Sequence, residues 1–318
     1  MRKIKIGVIG IGHLGRFHAE KFAQIPEVEL VALVDIKIEK AKEIQTKIKK
    51  EYNIFPEITE NYKDILNKVD AVSIVTPTIT HYEIAKYFLE YKKAIFIEKP
   101  IAHEFELAKE LVEIAQKYNI PFQVGYIERF QKPVKLLLNK SQNPLFIEAH
   151  RLSSFVERNL DIDVILDLMI HDIDLALKLK NYPEVEMIHA VGAPLFTNHP
   201  DIVNARVVFQ DGTTCNFTAS RISINKQRKF RVFEKGVYYS VDTLKKSFLE
   251  IKINWEDKDF IYEEKTFPES DPLKEELVSF IKSITNGTKV LVSGEEALKA
   301  LELAFKIKQS VEENLKKL

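Results

Sequence analysis

The glycine run Gly10-Ile11-Gly12-His13-Leu14-Gly15 is the most restrictive stretch of this 318-residue chain. It follows the apolar segment Ile4–Ile9 and opens a helical pattern over 13–23. A strand, a G-x-G-x-x-G turn and a helix in that order form a cradle for a pyrophosphate. The first glycine permits the tight turn. The second removes a side chain so that backbone N–H groups can approach the anion, and the third lets helix and strand pack closely. Gly10, Gly12, His13, Leu14 and Gly15 are therefore the expected cofactor contacts, with the helix N-terminus facing the phosphates. Asp35 ends the next apolar run about 20 residues beyond Gly15, where an acidic side chain typically accepts from the adenosine ribose hydroxyls. Its charge repels a 2′-phosphate, so NAD is expected ahead of NADP, although Lys37 nearby weakens the preference. An ordinary glycine turn and a plain loop aspartate are the alternatives at these positions.

The chain after this turn keeps the same rhythm for about a third of its length. Apolar runs at 29–34, 71–75, 94–97 and 121–125 alternate with helical patterns at 38–51, 81–91 and 104–118. Near-continuous apolar strands between amphipathic helices imply a parallel sheet covered on both faces. The pattern changes near Gly125. A strand at 145–150 and a helix at 161–179 are followed by β-rich runs at 203–209, 213–220, 228–233, 236–241, 247–253 and 260–262. Asp211-Gly212 between two of them signals a hairpin. Helices are expected at Pro272–Asn286 and 295–316, with Ser293 and Glu296 as a capping box. The expected fold is α/β, with a Rossmann domain over 1–124 and an α/β domain with a mostly antiparallel open sheet over 125–318.

Composition narrows the partners. Lys+Arg and Asp+Glu both number 47, so the net charge is zero and no basic field favours nucleic acid or an acidic membrane. No apolar stretch reaches the roughly 20 residues of a membrane span, and the N-terminal apolar segment is too short for a signal peptide. One cysteine, Cys215, excludes an internal disulfide and a thiolate cluster. A cytoplasmic enzyme with a small-molecule substrate is the expectation.

Two segments carry ionisable groups in unusual settings. The apolar run 94–97 ends in Glu98-Lys99-Pro100, at the carboxyl end of a strand, where ligands sit in open parallel sheets. Pro100 restricts Lys99 to extended backbone. A lysine beside a dry pocket can hold a reacting hydroxyl and stabilise developing alkoxide charge. A surface Glu-Lys pair is the competing reading. In the segment 161–174, Asp163, Asp167, His171 and Asp174 fall on one face of an otherwise apolar helix. His171 suits a proton acceptor from a hydroxyl, and Asp167 one turn earlier could orient its ring. A solvated face and a metal shared by Asp and His are the rival readings. No further ligand cluster supports the metal, and none is expected.

With these residues in place, the chain resembles the Gfo/Idh/MocA oxidoreductases along its whole length. The resemblance rests on the glycine turn, Thr76-Pro77 with His81, Glu98-Lys99-Pro100, and Asp167-x-x-x-His171. It implies that Thr76, His81 and Glu98 contact the cofactor, that Lys99 and His171 act at a substrate hydroxyl, and that Asp167 assists. It also implies a homo-oligomer, dimer or tetramer, built on the open sheet. Thr78 replaces the family's usual Asn after Thr-Pro. The segments 14–19, 123–130 and 161–174 further resemble a branch that oxidises the 3-hydroxyl of UDP-N-acetylglucosamine, so Arg129, Arg151 and Arg158 become candidates for the diphosphate. An inositol-type polyol dehydrogenase and a non-catalytic NAD(H)-binding sensor are the alternatives.

Overall fold

A computed structural model describes residues 2–155 and 162–317. The chain forms two units. The first contains residues 1–127 and 271–298. Its strands β1 (Ile4–Ile9), β2 (Val28–Val34), β3 (Glu57–Thr59), β4 (Ala71–Ile74), β5 (Ala94–Glu98) and β6 (Phe122–Gly125) make one parallel sheet in the order β3-β2-β1-β4-β5-β6. Helices α1 (Gly15–Ala23), α2 (Ile38–Tyr52), α3 (His81–Glu90) and α4 (Phe105–Lys117) connect the strands. Strands β4 and β6 are buried throughout, and β5 is buried up to Glu98. This is why the sequence shows unbroken apolar runs rather than alternation. The short strand β3 carries no such run and was not expected.

Residues 271–298 fall outside the expected 1–124 domain yet belong to this unit. Helix α7 (Pro272–Asn286) buries Leu277, Phe280 and Ile281 in the same core as Ile6, Val8, Leu33 and Phe96. Full burial of one such side chain contributes about 1.5–3 kcal/mol. The sequence shows the apolar stripe of α7 but not which sheet it covers.

The second unit contains residues 128–270 and 299–318. After α5 (Lys132–Lys140) come β7 (Phe146–Leu152), α6 (Ile170–Leu179), and then β8 (Val185–Ala193), β9 (Ile202–Phe209), β10 (Thr214–Ser220), β11 (Gln227–Glu234), β12 (Val237–Asp242), β13 (Ser247–Asn254) and β14 (Asp259–Thr266). The sheet order is β14-β13-β12-β11-β7-β10-β9-β8. Every pairing is antiparallel except β7 with β10. Gly212, at φ +83°, makes the expected turn between β9 and β10. Strands β7, β9 and β10 alternate buried and accessible residues, as a sheet with one covered face requires. Helix α6 packs on β7 and β10.

The last helix, α8 (Gly294–Leu315), begins in the first unit and continues in the second. The Ser293 hydroxyl accepts from the Glu296 N–H at 3.3 Å, so the expected cap forms. No helix among the described residues is long and apolar enough to cross a membrane.

Candidate active site

Strand register brings the first set of candidate residues to one edge. Ile9 pairs with Val34 and with Ile74, Ile74 pairs with Ile97, and Glu98 pairs with Gly125. The chain segments leaving these strands therefore emerge side by side: Gly10, Asp35, Thr76 and Lys99. The strand order reverses between β1 and β4, the switch point where open sheets of this kind bind ligands.

The three glycines do different work. Gly10 sits at φ +90°, and a Cβ there would lie 2.7 Å from the Val75 carbonyl. A Cβ on Gly15 would lie 1.7 Å from the Gly10 carbonyl, so that position admits only glycine. A Cβ on Gly12 would meet nothing within 4 Å. The fold does not need Gly12 bare, whereas a pyrophosphate approaching the backbone does. Helix α1 carries no acidic residue in its first turn, which leaves its positive end to an anion. Leu14 is half exposed and His13 is exposed beside it.

Asp35 is 9% exposed, with one carboxylate oxygen accepting from the Ile11 N–H and the other from the Lys37 N–H, both at 2.8 Å. It thus ties the glycine turn to the end of β2. Each oxygen keeps a second lone pair for a ribose hydroxyl. Bare space at Gly12 and an anchored carboxylate at Asp35 fit a dinucleotide.

Thr76 follows β4 and accepts from the Thr80 hydroxyl at 2.8 Å. His81 is buried, with Nδ1 2.9 Å from the Pro100 carbonyl and Nε2 2.9 Å from the Thr76 carbonyl. Burial pushes its pKa below the ordinary 6.5. His81 therefore links the Thr76 loop to the Lys99 corner through main-chain oxygens, and its ring is 1% exposed. The Lys99–Pro100 peptide is cis. Lys99 is half-buried.

Sequence reasoning passed over His18. Its ring is 1% exposed, with Nδ1 3.0 Å from the Ser73 hydroxyl and Nε2 3.1 Å from Glu98. Gly125 makes room for the Glu98 carboxyl, since a Cβ there would come within 2.8 Å of it. The signal was a histidine on the buried face of α1, next to Ala19 and Phe22 in the core.

In the second unit, the described part of the helical segment opens with a π-helical turn, Ile165–Met169, leading into α6. The π turn closes i→i+5 bonds, and such turns concentrate at functional sites. It also breaks up the expected one-face stripe. Asp163 caps the turn, with one oxygen accepting from the Ile165 and Leu166 N–H groups at 3.0 and 3.1 Å and the other 3.1 Å from Lys308. Asp174 is 1% exposed and pairs with Arg129 Nε at 2.7 Å. Asp167 and His171 remain half-buried, on the π turn and the first turn of α6.

Arg129 and Arg151 are each 5% exposed. Arg129 also donates to the Tyr182 hydroxyl at 2.9 Å. Arg151 binds Asp172 through Nε and Nη2 at 3.0 and 2.8 Å and Glu128 through Nη1 at 2.9 Å. Both guanidiniums thus hold carboxylates of the protein, where the sequence pointed to a diphosphate. Burial opposes the charge on Arg151, but Asp172 and Glu128 outweigh it and raise its pKa. Burial alone would raise Glu128, and the adjacent Arg151 and Arg228 hold it below the usual carboxylate range instead. Arg158, the third candidate, lies outside the described residues. Among the described residues no group of three or more His, Cys, Asp or Glu could hold a metal ion.

Residues 4–126 match the oxidoreductase family with an NAD-binding Rossmann fold, GFO_IDH_MocA. A UDP-N-acetylglucosamine 3-dehydrogenase of Acidithiobacillus ferrooxidans is 38% identical over 245 residues, covering 77% of this chain and 75% of that one. The chain belongs to the Gfo/Idh/MocA oxidoreductase family. A solved structure of the A. ferrooxidans protein superposes with a TM-score of 0.89 at 33% identity, over 98% of this chain and 99% of that one. A myo-inositol 2-dehydrogenase of Thermotoga maritima is 28% identical over 332 residues, 98% of this chain and 97% of that one. The first unit is accordingly an NAD-binding Rossmann domain, and the protein is an NAD-dependent oxidoreductase.

Proposed function

We propose that the protein oxidises the 3-hydroxyl of UDP-N-acetylglucosamine, or of a closely similar nucleotide sugar. The observation that carries the reading is the likeness to the A. ferrooxidans enzyme, at 38% identity over three quarters of both chains. NAD, when bound, supplies the hydride acceptor. The substrate hydroxyl gives its proton to the His171 imidazole as the C–H hydride leaves and the carbon becomes a carbonyl. Lys99 supplies a cation for developing negative charge on a substrate oxygen. Asp167 stabilises the imidazolium. Asp35 favours NAD over NADP, because a carboxylate already anchored by two N–H groups cannot turn away from a 2′-phosphate.

This reading keeps the enzyme in the reducing cytoplasm and makes it a homo-oligomer. Support for the oligomer comes from β14, exposed along its whole length, with Phe260, Ile261 and Tyr262 all more than half exposed.

The experiment is NADH absorbance after mixing protein and NAD with UDP-N-acetylglucosamine, UDP-glucose or myo-inositol. A rise with the first alone is expected, lost on Lys99→Ala or His171→Ala while NADH binding persists. A rise with myo-inositol alone would replace the reading with a polyol dehydrogenase, which the T. maritima likeness favours. Tight NADH binding without turnover on any substrate would point to a sensor.

A further inference from the structure

Three loops of the second unit leave one end of its sheet together. Strands β7 and β10 run parallel and end at Leu152 and Ser220, and antiparallel β9 and β11 begin opposite those residues, at Ile202 and Gln227. Segments 153–155, 194–201 and 221–226 therefore share that end. Hydrogen bonds join them: Ser153 N–H to Ser220 O at 2.7 Å, Ser223 N–H to Ser153 O at 2.9 Å, and Arg221 N–H to Asp201 O at 3.0 Å. The same group meets the start of the helix that carries His171. The Val164 N–H donates to Pro200 O at 3.3 Å, and Arg221 donates to Ile162 O at 2.6 Å.

The loops display apolar side chains to solvent. Phe196 is 68% exposed, Leu195 61% and Ile224 96%, and Phe155 stands with its ring centroid 5.0 Å from that of Phe196. This display is held in place. Asp201 is completely buried and accepts from the N–H groups of Leu195, Phe196 and Thr197 at 2.7, 2.6 and 3.0 Å and from the Thr197 hydroxyl at 2.9 Å. Burial alone would raise its pKa, but those donors outweigh it and hold the carboxyl below the ordinary range. Lys226, exposed, lies two residues beyond Ile224 in the same segment.

We infer that Phe155 and Phe196 form a stacking platform for the base of a nucleoside diphosphate sugar, with Lys226 facing the diphosphate. The inference rests on the nucleotide-sugar reading and names the residues that give it. A base needs an accessible aromatic face. A diphosphate needs a cation, and the sugar end must reach His171. That residue lies seven positions along the helix from Val164, about 10 Å, so the helix start that meets these loops and the proton acceptor are separated along one helix, as the two ends of an extended nucleotide sugar require. Phe196 is largely exposed, so its truncation removes little buried surface, and for Phe155, 37% exposed, a thermal melt checks that the fold persists.

The test is calorimetric titration of uridine 5′-diphosphate into the full-length protein saturated with NADH. Phe196→Ala and Phe155→Ala are expected to weaken binding on the order of tenfold each, with Phe196→Tyr close to wild type and NADH affinity unchanged. The KM for UDP-N-acetylglucosamine should rise in the same proportion. Wild-type affinity for the diphosphate in both alanine variants overturns the platform while leaving the nucleotide-sugar reading intact. A wild-type protein that oxidises UDP-N-acetylglucosamine without binding the diphosphate also overturns it. A protein that does neither removes both readings. A fall in oligomeric mass on Phe196→Ala, with diphosphate affinity retained, assigns the face to a second copy of the chain and overturns the platform.

Discussion

Replacing Gly12 with alanine separates cofactor binding from folding. The new Cβ would meet no atom within 4 Å, and Gly12 is not among the glycines with positive φ. Alanine at such a position stabilises by about 0.4–1 kcal/mol, because the unfolded chain loses freedom. For a protein of this size that raises Tm by roughly 1–4 °C. The same methyl group stands where the pyrophosphate must approach the backbone. Overpacking of this kind costs about 1–3 kcal/mol, or roughly 5- to 150-fold in Kd. Gly15→Ala is the control. Its Cβ would sit 1.7 Å from a backbone oxygen, so it should lower Tm or abolish soluble expression. Thermal melts without cofactor and NADH fluorescence titrations measure the two effects separately. A Gly12→Ala protein with wild-type NADH affinity would refute the placement of the pyrophosphate, and one with a much lower Tm would refute the claim that the fold tolerates a side chain there.

Arg151→Met leaves Asp172 and Glu128 buried without their shared cation, at a cost of about 3–5 kcal/mol. Tm should fall by about 6–20 °C and recover in large part when Asp172→Leu is added; no recovery would show that the charges are not the cause. His81 makes stability proton-linked, since its folded pKa lies below the unfolded 6.5. The unfolded chain then binds the extra proton on acidification, so this contribution is complete above pH 6.5 and declines below it. His81→Gln should flatten the decline in Tm between roughly pH 7 and pH 5.5, and an unchanged slope would assign it to other groups. Asp35→Asn should reduce the preference for NAD over NADP by roughly tenfold or more in kcat/KM ratio; an unaltered ratio would mean that Asp35 only braces the turn.

The sequence revealed most where local chemistry decides the outcome. The parallel half was legible because its strands are buried on both faces, and the β9–β10 turn because Asp211-Gly212 requires a positive φ at Gly212. The bounds of α7 could be read from Asp271 and Pro272 at its start and Gly287 at its end. What escaped depends on partners distant in sequence. Helix α5 offers only nine residues of pattern. The packing of α7 on the first sheet depends on Phe96, nearly two hundred residues earlier. The π turn leaves no mark in composition. The arginines misled for a specific reason: charged side chains are seldom fully buried unless paired, and Arg129 and Arg151 belong to the paired minority.

Burial sorts the four described carboxylates of the His171 segment, Asp163, Asp167, Asp172 and Asp174, into two roles. Asp163, Asp172 and Asp174 are each at most 4% exposed, and each has a cation from elsewhere in the second unit: Lys308, Arg151 and Arg129. Such pairs add little net stability against apolar replacements, but breaking one is costly, so they restrict the helix to one rotation and one height. Asp172 and Asp174 follow His171 by one and three residues, and the constraint therefore falls on the backbone that carries the imidazole. Asp167 alone of the four is half-buried. A carboxylate with access to solvent can change partners when a substrate arrives, whereas a desolvated one cannot without stranding a charge. The same argument holds in the first unit, where His18, 1% exposed, sits against Glu98 one residue before half-buried Lys99. In both units a side chain held by a distant partner lies next in sequence to a residue proposed for the chemistry: Glu98 beside Lys99 and Asp172 beside His171.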